Sequence, residues 1–186
     1  MDLLDALDVA VAEFRRRLAA VGADQWSAPT PCDEWDVRFL VAHVVGGHRF
    51  AALVLAGANA SDAFAEVLGG RVLGDDPLGD HDAAADAQRG AFRHPGALTS
   101  TVDHPLGPCR GADFLATRVF DVTVHAWDLA RAAGLPEDLD AELAATVLAG
   151  LTAMPDGPGF GIVPVGATDD LDAPLARLLD LSGRRP

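Results

Sequence analysis

The sequence has no lysine and no tyrosine, and only two cysteines and two methionines among 186 residues. Positive charge is scarce. Its 14 basic residues are all arginine and face 28 acidic ones, a net charge of -14. A chain this acidic lacks the basic patch that nucleic-acid phosphates need, and it is poorly matched to an anionic membrane. Cys32 and Cys109 are too few for a disulfide framework, and in a reducing compartment they stay unpaired. No unbroken apolar run reaches the roughly 18 residues of a spanning helix. The start, Met1-Asp2-Leu3-Leu4-Asp5, lacks the basic n-region of a signal peptide. These absences lead to the expectation of a cytoplasmic domain with neither nucleic acid nor membrane as a partner. The length suits one domain, 1–186, whose folding buries roughly 70% of the unfolded chain's surface.

What the sequence does have is helical spacing. Leu3, Leu4, Leu7, Val11, Phe14, Leu18 and Val21 recur at three and four, which predicts a helix over 2–22. Ser27, Pro29 and Pro31 break the pattern, and Asp36 is placed to cap a second helix over 37–57. A short helix fits 62–69. The stretch from Leu73 to Asp80, with Gly74, Pro77 and Gly79, reads as loop, and a helix over 80–93 stops at Pro95-Gly96. Thr99 to Val102 is the only extended piece and is too short to define a sheet. A long helix fits 112–133, and Pro136 to Asp138 opens another over 137–153. Met154 to Thr168 holds seven glycines and prolines and reads as an irregular arm, followed by a short helix over 171–181. The expected architecture is all-α: an antiparallel helical bundle with residues 154–186 packed on it as a C-terminal arm.

The helix over 112–133 is unusual. Leu115, Val119, Val122, Ala126 and Leu129 form one apolar face, and Phe120, Val124 and Trp127 form another. Between them runs a polar seam of Arg118, Asp121, His125 and Asp128. Polar groups in such a seam need partners, because each unpaired buried group costs on the order of 1–3 kcal/mol. Asp121 and His125 are four apart and project from one face, one turn apart. That spacing suits a shared divalent cation, but on spacing alone an Asp–His hydrogen bond with no metal comes first. His43 lies mid-face in the helix over 37–57, between Phe39, Leu40, Gly47, Phe50 and Val54. Gly46-Gly47 follows it, at about 1 kcal/mol each relative to alanine, which implies a close neighbour or ligand. His43, Asp121 and His125 together supply two imidazoles and a carboxylate. This set suits Zn²⁺ first, then Ni²⁺ or Fe²⁺, with positions left open for water or substrate.

The remaining candidates are weaker. Arg118 could hold an anionic substrate or a thiol's carboxylate, or form an ion pair with Asp121 or Asp128. Asp128 could orient a ligand histidine or pair with an arginine. Cys32 precedes a helix N-terminus, where a thiolate is favoured, but no base adjoins it in sequence, so it reads as a loop or buried cysteine. His48 falls on the flank of its helix and is expected at the surface. His81, His94 and His104 fall in loops or at helix ends, outside the site. Trp35 and Trp127 are expected as core anchors. No residue is assigned a catalytic role.

The run Thr30-Pro31-Cys32-Asp33-Glu34-Trp35-Asp36-Val37, then Val41-Ala42-His43-Val44-Val45-Gly46-Gly47, resembles the N-terminal metal-binding domain of mycothiol-dependent maleylpyruvate isomerases. So does Asp121-Val122-Thr123-Val124-His125-Ala126-Trp127-Asp128-Leu129-Ala130. These belong to the DinB-like superfamily. The chain is most similar to its small single-domain actinobacterial members, whose tails resemble Leu178 to Pro186. The resemblance implies a DinB-like four-helix bundle of up-down-down-up topology. It implies a divalent metal on His43, Asp121 and His125, with Asp121 standing where the isomerase carries a glutamate. It also implies mycothiol or a similar thiol as cosubstrate, activated by the metal to attack an electrophilic small molecule. The Gly-rich arm from Gly157 to Gly166 is expected to shape the pocket. The favoured function is a metal-dependent thiol transferase or isomerase-like enzyme. A non-catalytic metal- or small-ligand-binding protein, or a metal-dependent hydrolase without a thiol, are the alternatives. Bundles of this kind can pair as homodimers through exposed faces, and no patch in the sequence decides it.

Overall fold

The computed structural model describes residues 1–70, 72–152, 162–166 and 173–185. The elements run α1 (Leu3–Leu18), α2 (Val37–Leu55), α3 (Ala60–Gly69), α4 (Pro77–Arg93), β1 (Thr101–Val102), β2 (Cys109–Arg110), α5 (Gly111–Ala132), α6 (Ala141–Thr152) and α7 (Pro174–Leu181). Among the described residues the fold is all-α apart from one antiparallel ribbon, β1 on β2, in which Thr101 faces Arg110 and Val102 faces Cys109. The extended piece at Thr99–Val102 thus does find a partner, in a segment whose sequence gave no strand signal.

Local chemistry sets the helix ends. Asp2 caps α1 by accepting from the N–H groups of Leu4 and Asp5. Arg15, Arg16 and Arg17 complement the dipole in its last turn. Asp36 caps α2, accepting from Phe39 N at 2.8 Å. α4 begins at Pro77, earlier than the expected 80, because Asp76 caps it and a proline fits the first helical turn. α6 starts later than the expected 137, because Asp140 is its capping side chain, accepting from Leu143 N at 2.8 Å. Of the expected C-terminal arm, residues 154–161, 167–172 and 186 lie outside the described residues, and so does half of the stretch from 157 to 166 expected to shape a pocket. Residue Val165 bonds to the α7 end through its N–H and Asp180 O at 3.1 Å.

The four long helices form the bundle. α1 packs on α5 and α4, α2 packs on α4 and α5, α3 covers α2, and α6 sits between α5 and α7. Leu7, Val11 and Phe14 of α1, Leu40 and Val44 of α2, Ala85 and Phe92 of α4, and Leu115, Val122 and Leu129 of α5 are all buried in one core. By length and composition α2 is apolar enough to cross a membrane, because its mean hydropathy absorbs Arg38 and Arg49. Half of its 18-residue apolar stretch is buried inside the bundle, as a core helix requires.

The flank of α2 assigned to solvent is covered by α4. His48 is fully buried, as is His81 inside α4. The two rings meet edge to face at 5.4 Å, and His81 stacks on Phe14 at 5.5 Å. Neither His48 nitrogen has a hydrogen-bond partner among the described residues. Burial, then the nearby charges of Arg118 and His81, hold His48 well below its ordinary value. Burial likewise lowers His81. A histidine depressed in the folded state contributes stability that is complete above its unfolded pKa of about 6.5 and is lost as pH falls through its folded value. Each is therefore expected to cost up to about 1.4 kcal/mol per pH unit below about pH 6.5. Denaturant melts from pH 7.5 to 5 should show this slope, and His48→Phe should flatten it. An unchanged slope in the variant would exclude His48 as its source.

Candidate metal centre

Two helices bring the predicted ligands together. His43 sits two turns into α2, while Asp121 and His125 lie on successive turns of α5. Asp121 Oδ1 is 3.2 Å from His43 Nε2 and 3.5 Å from His125 Nε2. All three ligand atoms lie within 4.8 Å of one another. A tetrahedral ion with bonds of about 2.0–2.1 Å spaces its ligand atoms about 3.3–3.4 Å apart, so the donor set fits a first-row divalent metal. The rings meet edge to face at 4.9 Å. His125 is almost fully buried, but His43 keeps 36% of its side chain exposed, so the centre opens on one side.

The other edge of each α5 ligand is also held. Asp121 Oδ2 accepts from Arg118 Nη1 at 2.9 Å, leaving Oδ1 for the imidazoles. Arg118 is buried and also donates from Nε to Gln88 Oε1 at 3.1 Å. Of its two expected ion-pair partners Arg118 takes Asp121, while Asp128 is taken by Arg184. His125 Nδ1 lies 2.9 Å from Asp128 Oδ2, the arrangement that directs Nε2 toward a cation.

Charge follows this geometry. Burial pushes the Asp121 carboxyl up, but the charges of Arg118, His43 and His125 outweigh it and hold it well below its ordinary value. Burial pushes His125 down, but the charge of Asp121 and the hydrogen bonds that the ring makes to Asp121 and Asp128 and with Cys32 hold it well above. The metal-free centre thus balances an ionised carboxylate with a proton on His125, and a divalent ion has to displace that proton.

The role of Gly47 now has a physical reason. A Cβ there would sit 2.6 Å from Arg118 Nη1, so the glycine makes room for the guanidinium. Gly47→Ala is expected to push Arg118 off Asp121 and to cost about 1–3 kcal/mol, the range of core overpacking. A thermal melt checks it; an unchanged midpoint would mean that Arg118 relocates freely.

Some side chains at the centre lacked a periodic signal. Cys32 Sγ lies 3.3 Å from both Asp128 Oδ2 and Arg184 Nη2, and 3.9 Å from His125 Nδ1. Cys32, His125 and Asp128 form a second group of ligand-type atoms, on the far edge of the His125 ring. Trp35, expected as a core anchor, is half-buried and lies against both imidazoles, 4.8 Å from His43 and 5.7 Å from His125. Phe39, 54% exposed, continues this aromatic wall at 4.8 Å from Trp35. Trp127 is buried as expected, with Arg131 stacked 4.3 Å from its ring. Cys109 lies in β2, where burial and then Asp113 raise its thiol.

Comparison with known proteins agrees with this architecture. Residues 7–130 match the family described as the mycothiol maleylpyruvate isomerase N-terminal domain. Two uncharacterized proteins of Mycobacterium tuberculosis, from strains CDC 1551 and H37Rv, are each 39% identical over 164 residues, covering 86% of this chain and 82% of theirs. Among solved structures, a histidine-to-alanine variant of mycothiol-dependent maleylpyruvate isomerase superposes with a TM-score of 0.62 at 21% identity, covering 80% of this chain and 68% of that one. A second crystal structure of the isomerase gives 0.57 at 19% identity with the same coverage. The fold is therefore the DinB-like bundle, and the chain belongs to the mycothiol maleylpyruvate isomerase N-terminal domain family.

Proposed function

We propose that this chain binds one divalent metal, Zn²⁺ before Ni²⁺ or Fe²⁺, through His43, Asp121 and His125. In this reading it uses mycothiol or a similar thiol in transferase or isomerase-like chemistry on an electrophilic small molecule. The observation that carries the metal reading is the spacing of 3.2 and 3.5 Å from Asp121 Oδ1 to the two imidazole nitrogens. Family membership carries the thiol reading. When bound, the metal supplies positive charge that favours a thiolate over a thiol. The chain's own residues do the rest. Arg118 holds Asp121 Oδ2, so the carboxylate offers a single oxygen. Asp128 fixes the His125 ring. Trp35 walls the two imidazoles, and the exposed side of His43 leaves an approach for small molecules. Arg118 serves here to position Asp121, and its Nη2, buried without a hydrogen-bond partner among the described residues, is the group offered to an anionic ligand or a thiol's carboxylate.

Elemental analysis of the purified protein should find about one equivalent of metal. Mycothiol at roughly 100 times its Kd should then raise the melting midpoint of the loaded protein by about 5–10 °C, and leave metal-stripped protein unmoved. A metal-free preparation that refuses reloading sinks the metal reading. An equal shift with and without metal sinks the thiol reading alone.

A further inference from the structure

The C-terminal tail reaches into the metal centre. Arg184, just beyond α7, donates from Nε to Asp128 Oδ1 at 3.1 Å and from Nη2 to Asp128 Oδ2 at 2.8 Å. This is a two-pronged grip on a carboxylate with no solvent exposure. The same Nη2 lies 3.3 Å from Cys32 Sγ, and Nη1 donates to Ser182 O at 2.7 Å, which ties the guanidinium to its own tail. The Asp128 oxygen gripped by Nη2 is also the one 2.9 Å from His125 Nδ1. A continuous line therefore runs from the tail through Asp128 to the ring whose Nε2 faces Asp121.

We infer that Arg184 is a positioning residue for the ligand His125: it locks Asp128 in the orientation that aims the imidazole at the metal, so the docked tail forms part of the site. The inference rests on the metal reading above. Geometry supplies the reason. Asp128 would rotate about its side-chain bonds if only His125 held it. The planar guanidinium engages both oxygens and fixes that rotation. Removing the groups that orient a ligand histidine typically costs 10–100-fold in metal affinity.

The test is a competition titration of Zn²⁺ against a chromophoric chelator, on wild type, Arg184→Met, Arg184→Lys and Arg131→Met. Arg131 supplies a control, because it anchors the same tail through Arg185 O at 2.6 Å but touches neither Asp128 nor His125. Arg184→Met is expected to bind Zn²⁺ at least tenfold more weakly. Arg184→Lys should recover part of the loss by restoring the charge without the fork. Arg131→Met should lower the melting midpoint and leave Zn²⁺ affinity unchanged. Equal weakening in Arg131→Met and Arg184→Met would reduce the tail to general stabilisation and overturn the inference, as would wild-type affinity in Arg184→Met. Solvent exchange of the His125 Nδ1 proton, followed by NMR on metal-free protein, gives a second readout. It should be slow in wild type and Arg131→Met and faster by tenfold or more in Arg184→Met. Unchanged exchange overturns the inference even if wild type takes up no Zn²⁺, a result that separately sinks the metal reading.

Discussion

His125→Ala is expected to remove metal from the protein while leaving it folded. One of three donor atoms disappears, and the remaining pair, His43 Nε2 and Asp121 Oδ1, grips a divalent ion from two sides only. Structural zinc sites bind with about 10–16 kcal/mol, so one ligand's share is roughly 3 kcal/mol, on the order of 100-fold in affinity. Elemental analysis after gel filtration should fall from about one equivalent to near zero. The fold should persist because neither carboxylate is orphaned: Asp121 keeps Arg118 and His43, and Asp128 keeps Arg184. A pH series separates metal loss from loss of the ring's own contribution. His125 is held above its ordinary value in the metal-free protein. Its share of stability is thus complete below its unfolded pKa of about 6.5 and is lost as pH rises through the folded value. The gap in melting midpoint between metal-free wild type and His125→Ala should therefore be widest near pH 6 and close toward alkaline pH. The acid-linked loss from His48 and His81 is common to both proteins and cancels. Full metal content in the variant would remove His125 from the site.

The parts of this centre that were legible in sequence share a property: their geometry is local. Asp121 and His125 are one helical turn apart, so their shared face follows from 100° per residue. His43 was legible because an imidazole on an apolar face beside two glycines needs an explanation, although the close neighbour at Gly47 is Arg118. Which carboxylate Arg118 would take was a tertiary question, settled by Arg184 arriving from 56 residues away to take Asp128. Cys32 and Trp35 sit in an irregular loop where no period applies, so a place before a helix start for Cys32 and an aromatic core role for Trp35 did not put either beside His125. His48 was misplaced because a helical wheel shows a flank without showing what covers it; α4 does. The helix starts shifted for a similar reason. Asp76 and Asp140 each compete with nearby residues for the capping role, and side-chain hydrogen bonds decide the outcome.

Gly111→Ala is expected to destabilise the fold more than any exposed substitution, by roughly 3 kcal/mol, the upper end of overpacking costs. The glycine begins α5 directly after β2, where the chain turns from ribbon into helix. Its N–H donates to Ser100 O at 2.9 Å, and Ala112 N donates to Leu98 O at 3.0 Å, so the backbone is pinned on both sides of the position. A Cβ would stand 1.9 Å from Ala97 O, and no side-chain rotation relieves a clash with backbone. Either the 97–100 turn moves or the first turn of α5 does, and both routes break these hydrogen bonds. For a chain of this length, about 3 kcal/mol corresponds to a fall of roughly 6–12 °C in melting midpoint. Gly134→Ala provides the contrast. Its φ of +64 strains an alanine, but nothing lies within 4 Å of the new Cβ, so about 1 kcal/mol is expected. The ranking separates contact from conformation: a larger loss at Gly134 than at Gly111 would show that the start of α5 yields to Ala97. Because α5 carries Asp121, His125 and Asp128, a shifted start also displaces the ligands relative to His43 on α2. Gly111→Ala should therefore bind metal more weakly even where it remains folded, while Gly134→Ala, beyond the helix end, should bind it as wild type does.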